Sequence, residues 1–249
     1  MNRSRWVLLG LVLLGLLSAC EATLPVAEET PQSEIIELQV TPAVEHWLPL
    51  VAACAQDIPG LGIYIQILPR IELSLDESDV VLRLGERLES DQFVAVMGIE
   101  EIVVVGGQDV PVSSLSLESL QALYAGEITR WGDVQEAGTG QAGGTAPIKL
   151  LAYPAGHEIE ILFNRGFLND EPNRSAPQTY LTVEFLQKLL DMYPTGIGYL
   201  LESQVPQGMR ILPITADQPI PSGQYVLAVT AQDPDGRLKA LLTCLQSVQ

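Results

Sequence analysis

Apolar residues in this chain recur in short runs rich in valine and isoleucine, separated by stretches where they return every three or four positions. Ile35 to Val40 alternates and reads as a strand, and Pro42 then suits the first turn of a helix predicted over Ala43 to Asp57. Val44, Trp47, Leu48 and Val51 would share one face of that helix. Gly62 to Leu68, Asp79 to Leu84, Phe93 to Met97 and Ile102 to Val105 read as strands buried on both faces. A helix over Leu117 to Ala125 is capped by Ser116, carries Glu118 in its first turn and stops at Gly126. The glycine-rich stretch from Glu136 to Pro147 reads as a loop. After it the pattern predicts a strand from Ile148 to Ala152, a helix from about His157 to Phe167, a polar loop to Thr179 and a helix near Val183 to Met192. Pro194 to Tyr199 then forms a tight turn into a strand, Tyr225 to Thr230 forms another, and a last helix opens with Asp233 as N-cap and Pro234 at its first position. Strands alternating with helices give an α/β class, with sheets covered on both faces.

The N-terminus carries a different pattern. Arg3 and Arg5 precede an apolar run from Trp6 to Leu17, whose twelve residues would rise only about 18 Å as a helix, short of a bilayer core of roughly 30 Å. That is the pattern of a secretory signal peptide over residues 1–19. Leu17-Ser18-Ala19-Cys20 resembles the bacterial lipobox, which makes Cys20 a lipid attachment site; the alternative is an ordinary signal peptide with a chance cysteine. Residues 20–34 are rich in glutamate and proline without apolar periodicity, the composition of a disordered acidic tether.

Composition narrows the function. The 249 residues are 47% hydrophobic and 18% charged, enough for a substantial core, with a formal net charge of -18. Removal of residues 1–19, with Arg3 and Arg5, would bring this to -20. Attraction to nucleic acid is thereby excluded on electrostatic grounds. Cys20, Cys54 and Cys244 form no CxxC, and two histidines, His46 and His157, cannot build a histidine-rich metal site. His157 and Glu158 are successive on a helix and point about 100° apart, which argues against a shared metal ion. Gly138, Gly140, Gly143 and Gly144 lack dinucleotide-loop spacing, and no GxSxG or HExxH is present. No cofactor and no enzymatic activity are expected.

The segment from Ser114 to Val134 is the most informative. Leu115, Leu120, Tyr124, Gly126, Ile128, Trp131 and Asp133 fall in register with the opening of the second lobe in the phosphate-binding proteins of ABC transporters, and Gly196-Ile197-Gly198-Tyr199 resembles a glycine turn of the same family. Ser78 to Val81 matches weakly. The resemblance spans roughly residues 36 to 248 and is strongest over 102 to 200. It implies a two-lobed periplasmic-binding-protein-like fold, each lobe a mixed sheet flanked by helices, with lobe one over 35–102 plus 215–249 and lobe two over 103–214. The last helix would then return to the first, so that Cys54 and Cys244 could form a disulfide; two separately buried thiols are the alternative.

The resemblance breaks at the ligand cradle. Family members grip an anion with an arginine and a Gly-Ser-Gly-Thr turn at a helix N-terminus. Anchored on Phe163, the family spacing places Tyr153 at the arginine and Gly156, His157, Glu158 and Ile159 on the turn, so only the first glycine survives. Glu158 puts a carboxylate where the oxyanion would lie, and like charges at about 4 Å repel by roughly 1 kcal/mol even in bulk water. In the first lobe, the short segment Pro69 to Glu77 offers no nest of N–H donors. The candidate ligand-binding set is therefore Thr41, Arg83, Tyr153, Gly156, His157 and Glu158. Arg83 has a plainer reading as a strand-edge arginine paired with Asp79 or Glu86, and His157 one as a solvated cap.

Three functions compete: a solute receptor, a degenerate fold serving as an envelope interaction module, and an enzyme. The first is the expectation here: a monomeric, lipid-anchored extracytoplasmic protein serving an ABC permease. Its small-molecule ligand would be a neutral or weakly charged organic solute in place of phosphate.

Overall fold

A computed structural model describes residues 33–89, 93–136, 140–141, 144–170, 175 and 177–247. The signal peptide, Cys20 and nearly all of the tether lie outside the described residues. Five α-helices are present among those described: α1 (Leu48–Gln56), α2 (Leu117–Ala125), α3 (Glu158–Phe167), α4 (Val183–Met192) and α5 (Gly236–Ser247). The first strands are β1 (Glu34–Val40), β2 (Leu61–Ile67), β3 (Val80–Leu84) and β4 (Phe93–Gly106), followed by β5 (Leu115–Ser116), β6 (Gln135–Glu136), β7 (Gly140–Gln141) and β8 (Leu151–Ala152). The chain continues through β9 (Gln178–Thr179), β10 (Ile197–Leu201), β11 (Arg210–Ile211), β12 (Ile214–Thr215) and β13 (Gly223–Thr230).

The main sheet runs β10-β4-β13-β3-β1-β2, with β11 also on β4. β1 is parallel to both β2 and β3, while β13 returns antiparallel between β3 and β4. β4 serves two groups of partners: Phe93 to Glu101 pair with β13, and Ile102 to Gly106 pair with β10. Beyond β10, Leu150 bridges Ile197, and β8 pairs with β9 in parallel. Two strands were expected where this one runs. Glu100 and Glu101 interrupt the apolar pattern, yet their backbones keep the ladder with Gln224 and Gly223.

One continuous apolar core joins α1, α2, α3, α4 and α5 to the sheet, including Val40, Leu84, Trp131, Phe163 and Tyr199. β3 is buried throughout, as the pattern predicts. β2 departs from it: it is the edge strand, with Tyr64 and Ile67 exposed. Val81, Leu227 and Val229 form a smaller cluster, covered by Leu73 and Leu75 from the segment after β2.

The helix termini show how local chemistry sets the bounds. Ser116 Oγ accepts the Ser119 N–H at the start of α2, and Gly126 ends that helix at φ 81°, a left-handed conformation that glycine adopts without penalty. Thr182 caps α4 in the same way through Phe185 N–H. The helix expected over Ala43 to Asp57 is divided: Pro42–Trp47 is a 3-10 turn with Val44 at φ -112°, and α1 restarts at Leu48. Pro49, which lacks an N–H, then falls in the first turn of a new helix instead of a helix interior. α5 starts later than expected, at Gly236, with the Asp235 carbonyl accepting the Lys239 N–H. Asp233 and Pro234 precede it.

Buried Trp131 donates its indole N–H to the Thr195 carbonyl at 3.0 Å, tying the segment after α2 to the turn before β10. Cys54 of α1 and Cys244 of α5 have Cα atoms 5.8 Å apart and sulfurs at bonding distance. Among the described residues, no helix is long and apolar enough to cross a membrane.

Candidate functional site

The parallel strands β1, β2 and β3 end on one side, and each delivers a hydrogen-bond donor just beyond or at its carboxyl end. Thr41 follows β1 and Leu84 closes β3, while Arg70 lies in a 3-10 turn shortly after β2. All three meet Glu158, the first residue of α3. Thr41 Oγ1 donates to Glu158 Oε2 at 2.6 Å, the Leu84 N–H to the same oxygen at 3.1 Å, and Arg70 Nη1 to Oε1 at 3.1 Å. Thr41 and Glu158 are almost fully buried. Burial pushes the Glu158 carboxyl above the ordinary carboxylate range; Thr41, the Leu84 N–H, Arg70 and Arg83 pull the other way without cancelling it.

Arg83 is buried, and its Nη1 donates to the carbonyls of Leu84 and Glu86 at 3.3 and 2.9 Å. Its charge acts on the Glu158 carboxyl. Thr41, Arg83 and Glu158 come together; Tyr153, Gly156 and His157 form a neighbouring group. Gly156 sits at φ 87°, and its N–H reaches Glu160 Oε2 at 3.2 Å.

His157 is the N-cap of α3, one position earlier than the sequence suggests, and its Nδ1 accepts the Ile159 N–H at 3.3 Å. Only a neutral imidazole can accept there. Burial agrees, lowering the His157 pKa to about 4. The imidazole stacks on Tyr153 with centroids 4.3 Å apart and planes 15° from parallel. Tyr153 in turn packs against Tyr180 and Tyr199, and the Tyr180 hydroxyl donates to the Tyr199 carbonyl. Burial, with the Glu184 carboxylate adding to it, raises the Tyr153 phenol well above its usual value, so it stays protonated.

Beside this stack lies a cavity of about 360 Å³ lined by residues that include Glu45, His46, Tyr153, His157, Glu184 and Gln204. Among the described residues, no lysine or arginine lines it. A larger hollow of about 660 Å³, between Glu101 to Val104 and Ile211 to Ser222, shares none of these residues; Glu101, Asp217, Gln218 and Ser222 are among its lining.

A further polar cluster escaped the sequence reading. Glu100 Oε1 accepts from Trp47 Nε1 at 3.1 Å and pairs with His46 Nε2 at 2.8 Å, while Ser203 Oγ donates to Oε2 at 2.6 Å. Gln204 Nε2 lies 2.9 Å from His46 Nδ1. Burial alone would raise the Glu100 pKa, but the bonds from His46, Ser203 and Trp47 and the His46 charge together lower it. Serine, histidine and glutamate meet here without the relay of a hydrolase: serine and glutamate both address Nε2, and the serine proton points at the carboxylate.

Arg70 was also missed, and with it the Leu84 N–H. An arginine on a short connection has no local signature; only the parallel arrangement of β1, β2 and β3 brings it to Glu158. Among the described residues, no group of three or more His, Cys, Asp or Glu side chains could hold a metal ion.

No protein-family model and no curated protein matches this sequence. Solved structures do match it. An ABC-type phosphate transport receptor from Vibrio cholerae superposes with a TM-score of 0.68 at 16% identity, over 86% of this chain and 94% of that one. A putative phosphate ABC transporter substrate-binding protein with bound phosphate from Clostridium perfringens gives 0.68 at 17% identity, over 85% and 93%. The reduced form of the OxyR regulatory domain from Pseudomonas aeruginosa gives 0.58 at 16% identity, over 86% and 98%. With its mixed sheet and flanking helices, this chain has the type 2 periplasmic-binding-protein fold, an α/β architecture found in phosphate receptors and in OxyR regulatory domains alike.

Proposed function

We propose that this chain is the solute-binding component of an ABC transporter, held outside the cytoplasm by a lipid on Cys20, with a ligand other than free phosphate. Lobe one comprises residues 35–102 and 215–249 and lobe two residues 103–214, so that the cavity at Tyr153 and His157 lies in the cleft. The observation that carries this reading is the cavity's chemistry. It combines an aromatic stack, the neutral imidazole of His157 and the acids Glu45 and Glu184, with no lysine or arginine among the described residues. Such a wall repels an oxyanion and suits a neutral or cationic organic molecule that stacks and accepts or donates hydrogen bonds.

The likeness in fold to phosphate receptors supports a binding role, although fold alone never names a ligand. A second reading, a binding-protein fold retained as a non-transport module of the cell envelope, is favoured by one observation: the chain's own Glu158 already takes the donors at the ends of β1 and β3.

Thermal unfolding of the full chain with a sugar, a nucleoside, choline and inorganic phosphate tests the proposal. Stabilisation by one of the first three, and none by phosphate, is the expected result. A calorimetric Kd for phosphate at or below about 1 μM, roughly -8 kcal/mol, would overturn it. Mass spectrometry of the native N-terminus tests the anchor: a diacylglyceryl-modified Cys20 is expected, and an unmodified N-terminus elsewhere refutes it.

A further inference from the structure

In open α/β sheets, ligands bind outside the carboxyl ends of parallel strands. In this chain the group found there belongs to the chain itself. Glu158 reaches the ends of β1 and β3 from 117 residues beyond Thr41 and 74 beyond Leu84. Its carboxylate is 2% exposed and accepts from a hydroxyl, a backbone N–H and a guanidinium, each held by a different element. Packing alone would not select this residue. Desolvating a carboxylate costs several kcal/mol, and an apolar side chain of similar volume usually fills a buried position at least as well. The donors are also arranged for a planar acceptor: Thr41 and Leu84 converge on Oε2, and Arg70 addresses Oε1.

We propose that Glu158 is a built-in ligand: its carboxylate occupies a small-oxyanion site formed by Thr41, Leu84 and Arg70, and thereby fastens α3 to the ends of β1 and β3 without any bound solute. The site would accept a free carboxylate if the side chain were removed. This goes beyond the solute-binding reading and does not depend on it, because the solute cavity is lined by other residues and Glu158 is not among them.

The test uses the full chain and formate as the probe, with chloride at equal ionic strength as the reference. Wild type is expected to show the same Tm in both salts. Glu158→Ala is expected to melt several degrees lower in chloride and to recover part of that loss in formate, with a shift that grows with formate concentration. Thr41→Val in the Glu158→Ala background is expected to abolish the recovery. A Glu158→Ala protein as stable as wild type, or one that responds to formate no more than wild type does, overturns the proposal.

Should Glu158→Ala fail to fold in chloride, refolding in formate decides: recovery supports the proposal. If it folds in neither salt, Glu158→Gln, Thr41→Val and their double variant form a cycle that decides instead. Coupling between the two positions is expected, and strict additivity overturns the assignment. Failure of every solute to bind the cavity would refute the transport reading alone and leave the formate result standing.

Discussion

The His157 imidazole lies flat against the Tyr153 ring, 4.3 Å between centroids, while its Nδ1 accepts the Ile159 N–H that opens α3. The cap depends on a neutral ring. In the folded state the His157 pKa is about 4, against about 6.5 for a free histidine, so between these values the unfolded chain binds the additional proton. Stability contributed by the neutral ring is present above about pH 6.5 and is lost as pH falls toward 4, by up to about 3 kcal/mol. His157→Asn keeps a good N-cap and deletes the titration. Chemical denaturation from pH 7 to 4 is expected to show this loss in wild type relative to the variant; parallel profiles would contradict it.

Glu100 titrates with the same sign in a lower range. Its folded pKa is held below 4.5 by His46, Ser203 and Trp47 despite burial, so its stabilisation is complete above the unfolded value and disappears as pH falls through the folded one. Glu100→Ala strands the Trp47 N–H and the Ser203 hydroxyl and is expected to cost about 2 to 4 kcal/mol at neutral pH. Urea unfolding at pH 7 and pH 3.5 measures both effects: the deficit should be large at the first and shrink at the second.

A Cys54 to Cys244 bridge closes a loop with a sequence separation of 190 residues, which chain-entropy reasoning values at up to about 5 kcal/mol. Oxidised protein denatured without reductant is expected to react with no maleimide at these positions, and reduction should lower the Tm. Two labelled thiols in the non-reduced sample would refute the bridge.

Gly107 is expected to tolerate no side chain. An added Cβ would lie 2.4 Å from the Pro194 carbonyl oxygen, a backbone atom that cannot rotate away. Gly107→Ala should therefore destabilise by more than about 2 kcal/mol. At Gly62 on the edge strand the nearest atoms are 3.5 Å and more away, and the same substitution should change stability by less than about 1 kcal/mol. Equal denaturation midpoints for the two variants would count against this packing account.

What the sequence made legible followed locality. α2 and α4 carry their caps, Ser116 with Gly126 and Thr182, within a few residues of their own apolar stripe, and their bounds could be read directly. β4 could not, because its central glutamates find partners in β13 and in the His46 cluster, both remote in sequence. The same distance divides the candidate site. Glu158, His157 and Tyr153 could be placed by spacing from Phe163, whereas Arg70, Glu100, Ser203 and Gln204 become site residues only when separate strands end side by side. Glu158 was expected to repel an anion. In the structure its carboxylate accepts from Thr41, the Leu84 N–H and Arg70.

The position of β13 sets an order of events for the newborn chain. This strand lies between β3 and β4, so both of those strands keep a bare edge until residues 223–230 have arrived. α5, which carries Cys244, comes later still. A chain shortened anywhere before Gly223 lacks the strand that seals the sheet, and exposed strand edges invite pairing with other chains. The central sheet can therefore close only when the polypeptide is almost complete.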